Sequence, residues 1–499
     1  MRRKTIVMEQ TDKRILPGPV YFVTLSGVMW ALSYPPFPLG FLSFFVLVLF
    51  WYGLRGVRSL GEAAQLSYLW GLVVAAINFW WVAIPTLPGM IALVLYLPIY
   101  SMLYGILHYT IARKHPDLAV LVAPVLYVGV EYLRSWGKLG FPWLNLSYSL
   151  VYYPVLIQFA DIFGAFGVSF WIVAINSCIY FAIKYAGSRK FWASIAAIII
   201  LFGAAFGYGV YRMRQDIEGT PLRIALLQGN IDPYEKWNAS TKRKSVKIYA
   251  NMIESVGGAV DLIILPETAA ACYFRRSPSM FLPLVNAVKR AGVPTLMGTL
   301  DFDPENTSRY FNSAVLVMPD GSHQQTYNKI QLVPFSEYVP LQDKFKFLRK
   351  LNYGGSHFTP GDRFTIFGIN SAKFGVMICY ESIFTHIARK FRSSGAEFLV
   401  NITNDGWFGK SQGPYQHAMF NVFRAIENRV WIARCANTGI SMFVDPHGVI
   451  THRTRLFERA VLVGEIELTH TTTIYDRLGD FVGWGSLVLS PFLVWLMRK

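Results

Sequence analysis

The sequence predicts a polytopic helical bundle of about eight spans carrying one α/β domain, and three observations predict it. The 499-residue chain is 53% hydrophobic with a mean hydropathy of +0.34, too apolar for a purely soluble enzyme. Apolar stretches approaching the roughly 20 residues of a membrane span crowd the first part of the chain and recur at its end. Between them, from about Leu222 to Leu468, short strand-like runs alternate with polar, helix-compatible segments.

Taken in order, the candidate spans are Tyr21 to Tyr34, Leu39 to Leu54, Leu66 to Ile84, Ile91 to Ala112, Leu118 to Tyr132, Phe163 to Tyr185, Ala193 to Val210 and Val482 to Met497. Pro35-Pro36 reads as a tight turn between the first two. Lys and Arg in short loops stay on the cytoplasmic side, which sets the orientation. Arg2, Arg3, Lys4, Lys13 and Arg14 precede the first span; Arg55 and Arg58 follow the second; Arg113 and Lys114 follow the fourth; Lys184, Arg189 and Lys190 follow the sixth. The N-terminus is therefore expected inside, with the chain emerging outside near Tyr211 and returning to Arg498 and Lys499 inside. This divides the chain into a bundle at 1–213, an extracytoplasmic domain at 214–475 and a C-terminal span at 476–499.

The net charge of +17 is partly these anchoring residues, and the remainder can attract anionic lipid. It is not gathered into one basic stripe, so nucleic acid is not expected as a partner. The basic N-terminal segment leads into a span without an evident cleavage site, so no cleavable signal is expected.

In the middle region, Arg223 to Leu227, Asp261 to Leu265, Thr295 to Leu300, Ser313 to Met318, Phe374 to Ile378, Glu397 to Asn401, Ser441 to Val444 and Ala460 to Ile466 read as strands. Glu235 to Val256, Met280 to Ala291 and Tyr415 to Asn428 read as helices. The four cysteines, Cys178, Cys272, Cys379 and Cys435, lack zinc-type spacing and give no disulfide framework. A free thiol outside the cytoplasm invites oxidation, so a retained one asks for a reason.

Three segments share a pattern in which an apolar strand delivers a reactive side chain at or beyond its end. In Asp261-Leu-Ile-Ile-Leu-Pro266-Glu267, proline ends the strand and places Glu267 where open α/β sheets build sites, although alone it is equally a loop carboxylate or helix cap. Tyr327-Asn328-Lys329 leads through an apolar stretch to Ser336-Glu337-Tyr338. Phe374-Gly-Val-Met-Ile-Cys379-Tyr380-Glu381 ends a strand at a cysteine, and Ser382 to Arg392 reads as the helix that follows. A helix N-terminus favours thiolate, so Cys379 is expected to be an activated nucleophile, the alternative being a small core residue.

A glutamate, a lysine and a cysteine in this order and in these contexts resemble the Glu-Lys-Cys triad of the nitrilase superfamily. With the flanking spans, the chain resembles its membrane-embedded branch, the apolipoprotein N-acyltransferase family. Leu227-Gln-Gly-Asn230 leading to Lys236-Trp237, Gly140-Phe-Pro-Trp143, Gln158 to Gly167, and Asp405-Gly-Trp-Phe-Gly409 continuing to Pro414-Tyr-Gln-His417 agree.

The resemblance implies an α-β-β-α sandwich for the domain, no cofactor and no metal. It implies Glu267 as general base, Lys329 as oxyanion stabiliser and Cys379 as nucleophile. Glu337 resembles a second glutamate that orients Lys329 or relays protons. Tyr380 and Glu381 support the site, Glu381 either holding local structure or assisting. Trp237, Tyr338 and Trp407 either line an acyl pocket or pack the core. The implied reaction moves an acyl chain from a phospholipid through a cysteine thioester to the N-terminal amine of a diacylglyceryl-cysteine apolipoprotein, with ping-pong kinetics. The implied setting is a monomer in a bacterial inner membrane, with both termini cytoplasmic and the catalytic domain periplasmic. Glu131 and Arg134 in the fifth span are a functional candidate or a helical-turn ion pair. Two rival readings remain, an anchored amidase with water as acceptor and a non-catalytic transporter or binding module.

Overall fold

A computed structural model describes residues 18–340, 342, 344, 357–370 and 372–498. The basic residues Arg2, Arg3, Lys4, Lys13, Arg14 and Lys499 used for orientation lie outside them.

The apolar N-terminal segments form ten helices: α1 (Pro19–Leu32), α2 (Ser43–Leu54), α3 (Leu60–Phe79), α4 (Leu87–Tyr96), α5 (Pro98–Ala112), α6 (Pro116–Leu121), α7 (Ala123–Arg134), α8 (Pro154–Ile157), α9 (Ala160–Lys184) and α10 (Arg189–Met213). Four helical units, Leu60–Ala83, Leu87–Ala112, Ala160–Lys184 and Arg189–Met213, are long and apolar enough to cross a membrane. Pro19–Leu32, Gly40–Leu54 and Phe481–Met497 are apolar but shorter. The stretch expected as one span from Leu118 to Tyr132 breaks at Val122 into α6 and α7, where Pro124 enters the first turn of the second helix. Arg134 lies 4.0 Å from Glu131, and Glu131 accepts the Leu146 N–H at 2.6 Å while Arg134 donates to Asn145 at 2.9 Å. Both charges thus fold the loop beyond α7 back onto it.

The α/β region has two sheets. The first runs in the order β13 (Ala460–Leu468), β1 (Thr220–Gln228), β2 (Leu262–Ile264), β4 (Thr295–Phe302), β5 (Tyr310–Val317), β6 (Tyr327–Asn328), with β3 (Ala270–Tyr273) pairing β4. The second runs β12 (Ile450–Arg453), β11 (Met442–Val444), β10 (Ile432–Ala436), β9 (Phe398–Thr403), β8 (Ala372–Ile378), β7 (Ile366–Ile369). The two-residue period of a strand sorts their side chains. Ile224 and Leu226 of β1 join a core with Val376, Ile378, Val400 and Ile402 of the second sheet. Ala225 and Leu227 instead meet α11 (Ala239–Val256) and α12 (Pro278–Ala291). With α13 (Thr385–Ser393) and α14 (Gly413–Asn428) outside the second sheet, the layers are helix, sheet, sheet, helix.

All eight strands and three helices expected in this region are present. The helix expected from Ser382 to Arg392 is not continuous: a 3-10 turn covers Cys379–Ile383, and α13 begins only at Thr385.

Helix α14 joins the domain to the bundle, and every residue in it except Tyr415 is buried. The chain then passes α15 (Ile474–Leu478) and ends in α16 (Phe481–Met497), which packs on α7. Gly164 breaks the start of α9 at φ 65°, where a Cβ would stand 2.6 Å from the Tyr475 ring. Only glycine lets α15 seat there.

Candidate active site

Glu267 follows β2 on a turn pressed against β4. At Gly298 of β4 a Cβ would lie 2.4 Å from the Pro266 carbonyl and 2.7 Å from the Glu267 Cα, so the bare strand is what admits the turn. Thr268 holds it in the left-handed region, φ 48°. One Glu267 oxygen accepts from Asn312 Nδ2 at 2.8 Å and the other from the Asn404 backbone N–H at 2.9 Å. Lys236, buried in the loop after β1, donates to the Glu267 carbonyl at 3.2 Å and to Thr268 Oγ1 at 2.8 Å. Burial pushes that amine down to about 7, opposed by the charge of Glu267.

Lys329 continues β6, its N–H pairing with the Asn312 carbonyl at 2.8 Å. Its ammonium bonds Glu337 at 2.9 Å and stands 3.8 Å from Glu267. Burial alone would favour the neutral amine, but Glu337 and then Glu267 outweigh it and raise the pKa, so the group is a cation. Asn312 Nδ2 also reaches Glu337, at 3.0 Å, bridging the two carboxylates. Glu337 lies on a loop folded back by Phe335 at φ 61°, and its other oxygen accepts the Val333 N–H at 2.8 Å.

Cys379 ends β8 at φ 52°, a strained conformation for a residue with a Cβ. It is partly exposed, whereas Cys272 and Cys435 of the same region are buried. Burial of its thiol raises the pKa well above the usual range, Glu267 adds to this, and Lys329 opposes it only in part. This corrects the expectation of a helix-activated thiolate. A short 3-10 turn carries little dipole to offset that burial.

Glu381 is a fully buried clamp. It accepts from Tyr327 Oη at 2.8 Å and the N–H groups of Ile330 at 2.7 Å, Gln331 at 3.1 Å and Ile378 at 2.7 Å, tying the lysine loop to the strand that leads to Cys379. Burial pushes it up to about 7 against those donors. Tyr380 donates to the Gly140 carbonyl at 3.1 Å and Tyr338 to the Lys138 carbonyl at 2.6 Å, so both fasten the catalytic region to the loop after α7. Trp407 meets the Tyr234 ring edge-on at 5.1 Å. Trp237 is 41% exposed, with Lys242 over its ring.

The structure therefore brings Glu267, Lys329, Glu337 and Cys379 together, with Glu267 and Lys329 the foremost charged neighbours of the thiol. Asn312, Asn404 and Lys236 were not singled out from sequence as site residues. Asn312 stands just ahead of the Ser313 to Met318 run that reads as a strand, and its role follows from the pairing of β5 beside β4 and β6.

The family model for carbon-nitrogen hydrolases matches residues 223–475, and that for the apolipoprotein N-acyltransferase N-terminal domain matches residues 26–178. The apolipoprotein N-acyltransferase of Geobacter metallireducens is 34% identical, covering 96% of this chain and 95% of its own. That of Chlorobaculum tepidum is 30% identical, covering 94% of each. The crystal structure of Saccharomyces cerevisiae Nit3, of the nitrilase superfamily, aligns with 51% of this chain and 92% of its own at a TM-score of 0.40 and 19% identity. Likeness along nearly the whole length, with both family models in one chain, shows that this chain belongs to the apolipoprotein N-acyltransferase family and is an acyltransferase.

Proposed function

We propose that the protein carries an acyl chain from a membrane phospholipid to the α-amino group of diacylglyceryl-cysteine on an apolipoprotein, by way of a thioester on Cys379. The carrying observation is the convergence of Glu267, Lys329 and Cys379, with Cys379 partly exposed.

In the first half-reaction the Cys379 sulfur attacks the ester carbonyl as Glu267 takes the thiol proton. The oxyanion forms against the Lys329 ammonium and the backbone N–H of Tyr380. Collapse breaks the C–O bond, Glu267 returns the proton to the leaving oxygen, and a lysophospholipid departs. In the second, the amine attacks the thioester, the C–N bond forms, the C–S bond breaks, and one amine proton returns through Glu267 to sulfur. Glu337 orients Lys329, Glu381 holds the elbow, and Trp237, Tyr338, Tyr380 and Trp407 contact the lipid. Long-chain substrates support a bilayer setting, since burial of each CH₂ is worth about 0.8 kcal/mol and the site must come to them.

We place the protein in a bacterial inner membrane as a monomer of about eight spans with both termini inside. Residues 1–213 and 476–499 form the membrane part, and 214–475 a periplasmic catalytic domain. The test is the intact mass of full-length protein incubated with phospholipid alone, beside Cys379→Ala. An added acyl mass, released by hydroxylamine and absent from the variant, is expected. Turnover of amides with no acyl-enzyme would favour water as acceptor, and loss of both reactions would return the non-catalytic reading.

A further inference from the structure

The segment Pro414-Tyr-Gln-His417 at the start of α14 has no part in the reaction as written. His417 is fully buried between the bundle and the nucleophile. On one side its ring stacks on Trp143, with centroids 5.4 Å apart and planes 19° from parallel. Trp143 is fixed in turn by donating to Gln416 Oε1 at 2.8 Å, and Gln416 Nε2 donates to Asn78 at 2.9 Å and to the Pro35 carbonyl at 3.1 Å.

On the other side both ring nitrogens meet acceptor oxygens. Nδ1 is 2.8 Å from Asp405 Oδ1, and Nε2 is 3.1 Å from the carbonyl oxygen of Cys379. A carbonyl only accepts, so Nε2 donates. Asp405 is anchored by Arg434 at 2.7 Å and Thr403 Oγ1 at 2.9 Å, so the imidazole is braced from behind. Ser382 Oγ donates to the same carbonyl at 3.1 Å.

We propose that His417 is a positioning residue of the acyl transfer, holding the strained backbone of Cys379 and polarising the Cys379–Tyr380 peptide through its carbonyl. The inference rests on Cys379 being the nucleophile. A non-glycine residue at positive φ is strained and persists only where its surroundings fix it. A donor bonded to a peptide carbonyl also makes the N–H of the same peptide a stronger donor, by about 10–30%. Here that N–H is the backbone group assigned to the oxyanion.

The test follows acyl-enzyme formation by intact mass, using full-length protein in mixed micelles of detergent and phosphatidylethanolamine. His417→Phe keeps a ring on Trp143 and removes the donor; His417→Gln restores an N–H able to reach the carbonyl. His417→Phe is expected to acylate about 30-fold more slowly at saturating lipid, less than the 100-fold or more that follows loss of a direct oxyanion donor. Its half-saturating lipid concentration should stay within about twofold, since the loss is confined to the transition state. His417→Gln should recover most of the rate. A wild-type rate in His417→Phe overturns the proposal, as does His417→Gln being equally slow, which would leave only ring packing. Should His417→Phe fail to fold, Ser382→Ala decides: slower acylation supports the polarised carbonyl and an unchanged rate overturns it. A wild-type protein that acquires no acyl group overturns the Cys379 reading itself.

Discussion

Two buried clusters of charge sit at opposite ends of α14, and they are built differently. At its C-terminal end Arg429 spends all five N–H donors: two on Asp161, one each on the side chain and carbonyl of Gln158, and one on the Pro446 carbonyl. Asp161 also takes Arg212 and the Tyr208 hydroxyl. Near the N-terminal end, Lys329 bonds Glu337 while Glu267 stands back at 3.8 Å, beside Cys379, a residue that is partly exposed. Buried charge is common to both. What distinguishes the site is an ammonium that, among the described residues, bonds only Glu337, next to a cysteine that is partly exposed.

Removing that ammonium is the largest perturbation. Lys329→Met should slow acyl-enzyme formation by about 10²–10³-fold through loss of the oxyanion donor. It also leaves Glu267 and Glu337, bridged only by Asn312, without their cation, so thermal unfolding should show a loss of about 3–5 kcal/mol. Normal stability with full activity would erase the distinction between the clusters.

Arg429→Met is the counterpart. It strips Asp161 of one guanidinium and two carbonyls of their donors, so stability should fall by about 3–5 kcal/mol. The acylation rate of the molecules that remain folded should match wild type. A rate loss without a stability loss would make this seam, where Arg429 meets Asp161 and Gln158 of the bundle, part of the machinery.

The two clusters were not equally legible. Glu267, Lys329 and Cys379 each follow an apolar run, and a strand with its reactive end is a local pattern of a few residues. Asp161 and Arg429 lie 268 residues apart, and nothing local marks them as partners. The same limit hid Asn312 and Asn404, whose roles come from which strands lie side by side. Ala270–Tyr273, Tyr327–Asn328, Ile366–Ile369, Ile432–Ala436 and Ile450–Arg453 escaped because two to five residues show little period. The helix after Cys379 was misplaced because Glu381, which suits a helix by propensity, is spent instead on bonding the Ile378 N–H and the lysine loop.

That misplacement has a measurable consequence within the site. A thiol at a helix N-terminus would be largely ionised near neutrality, and its alkylation rate would level off there. Burial first, and Glu267 second, push the Cys379 thiol the other way. Its thiolate fraction therefore grows with pH throughout, and carbamidomethylation by iodoacetamide should rise about tenfold per unit between about pH 6 and 9 without a plateau. A plateau near pH 7 would show that Lys329 prevails over burial, and the contrast with the saturated seam would sharpen.

The smallest structural effect is expected at Trp237, and it separates packing from contact with substrate. An indole 41% exposed, held by Lys242 at 5.6 Å from the ring centroid, contributes no more to stability than an exposed cation–π pair, about 0.5–1 kcal/mol. Next to it, Lys236 reaches the Glu267 turn. Aromatic rings favour the boundary between lipid and water, which is why the proposed function has this exposed tryptophan contact lipid. Trp237→Ala should unfold within about 1 kcal/mol of wild type, yet acylate several-fold more slowly when phospholipid is limiting. If instead stability falls by 2 kcal/mol or more, as about the loss of a buried aromatic would cause, the ring belongs to the core and the lipid must enter elsewhere.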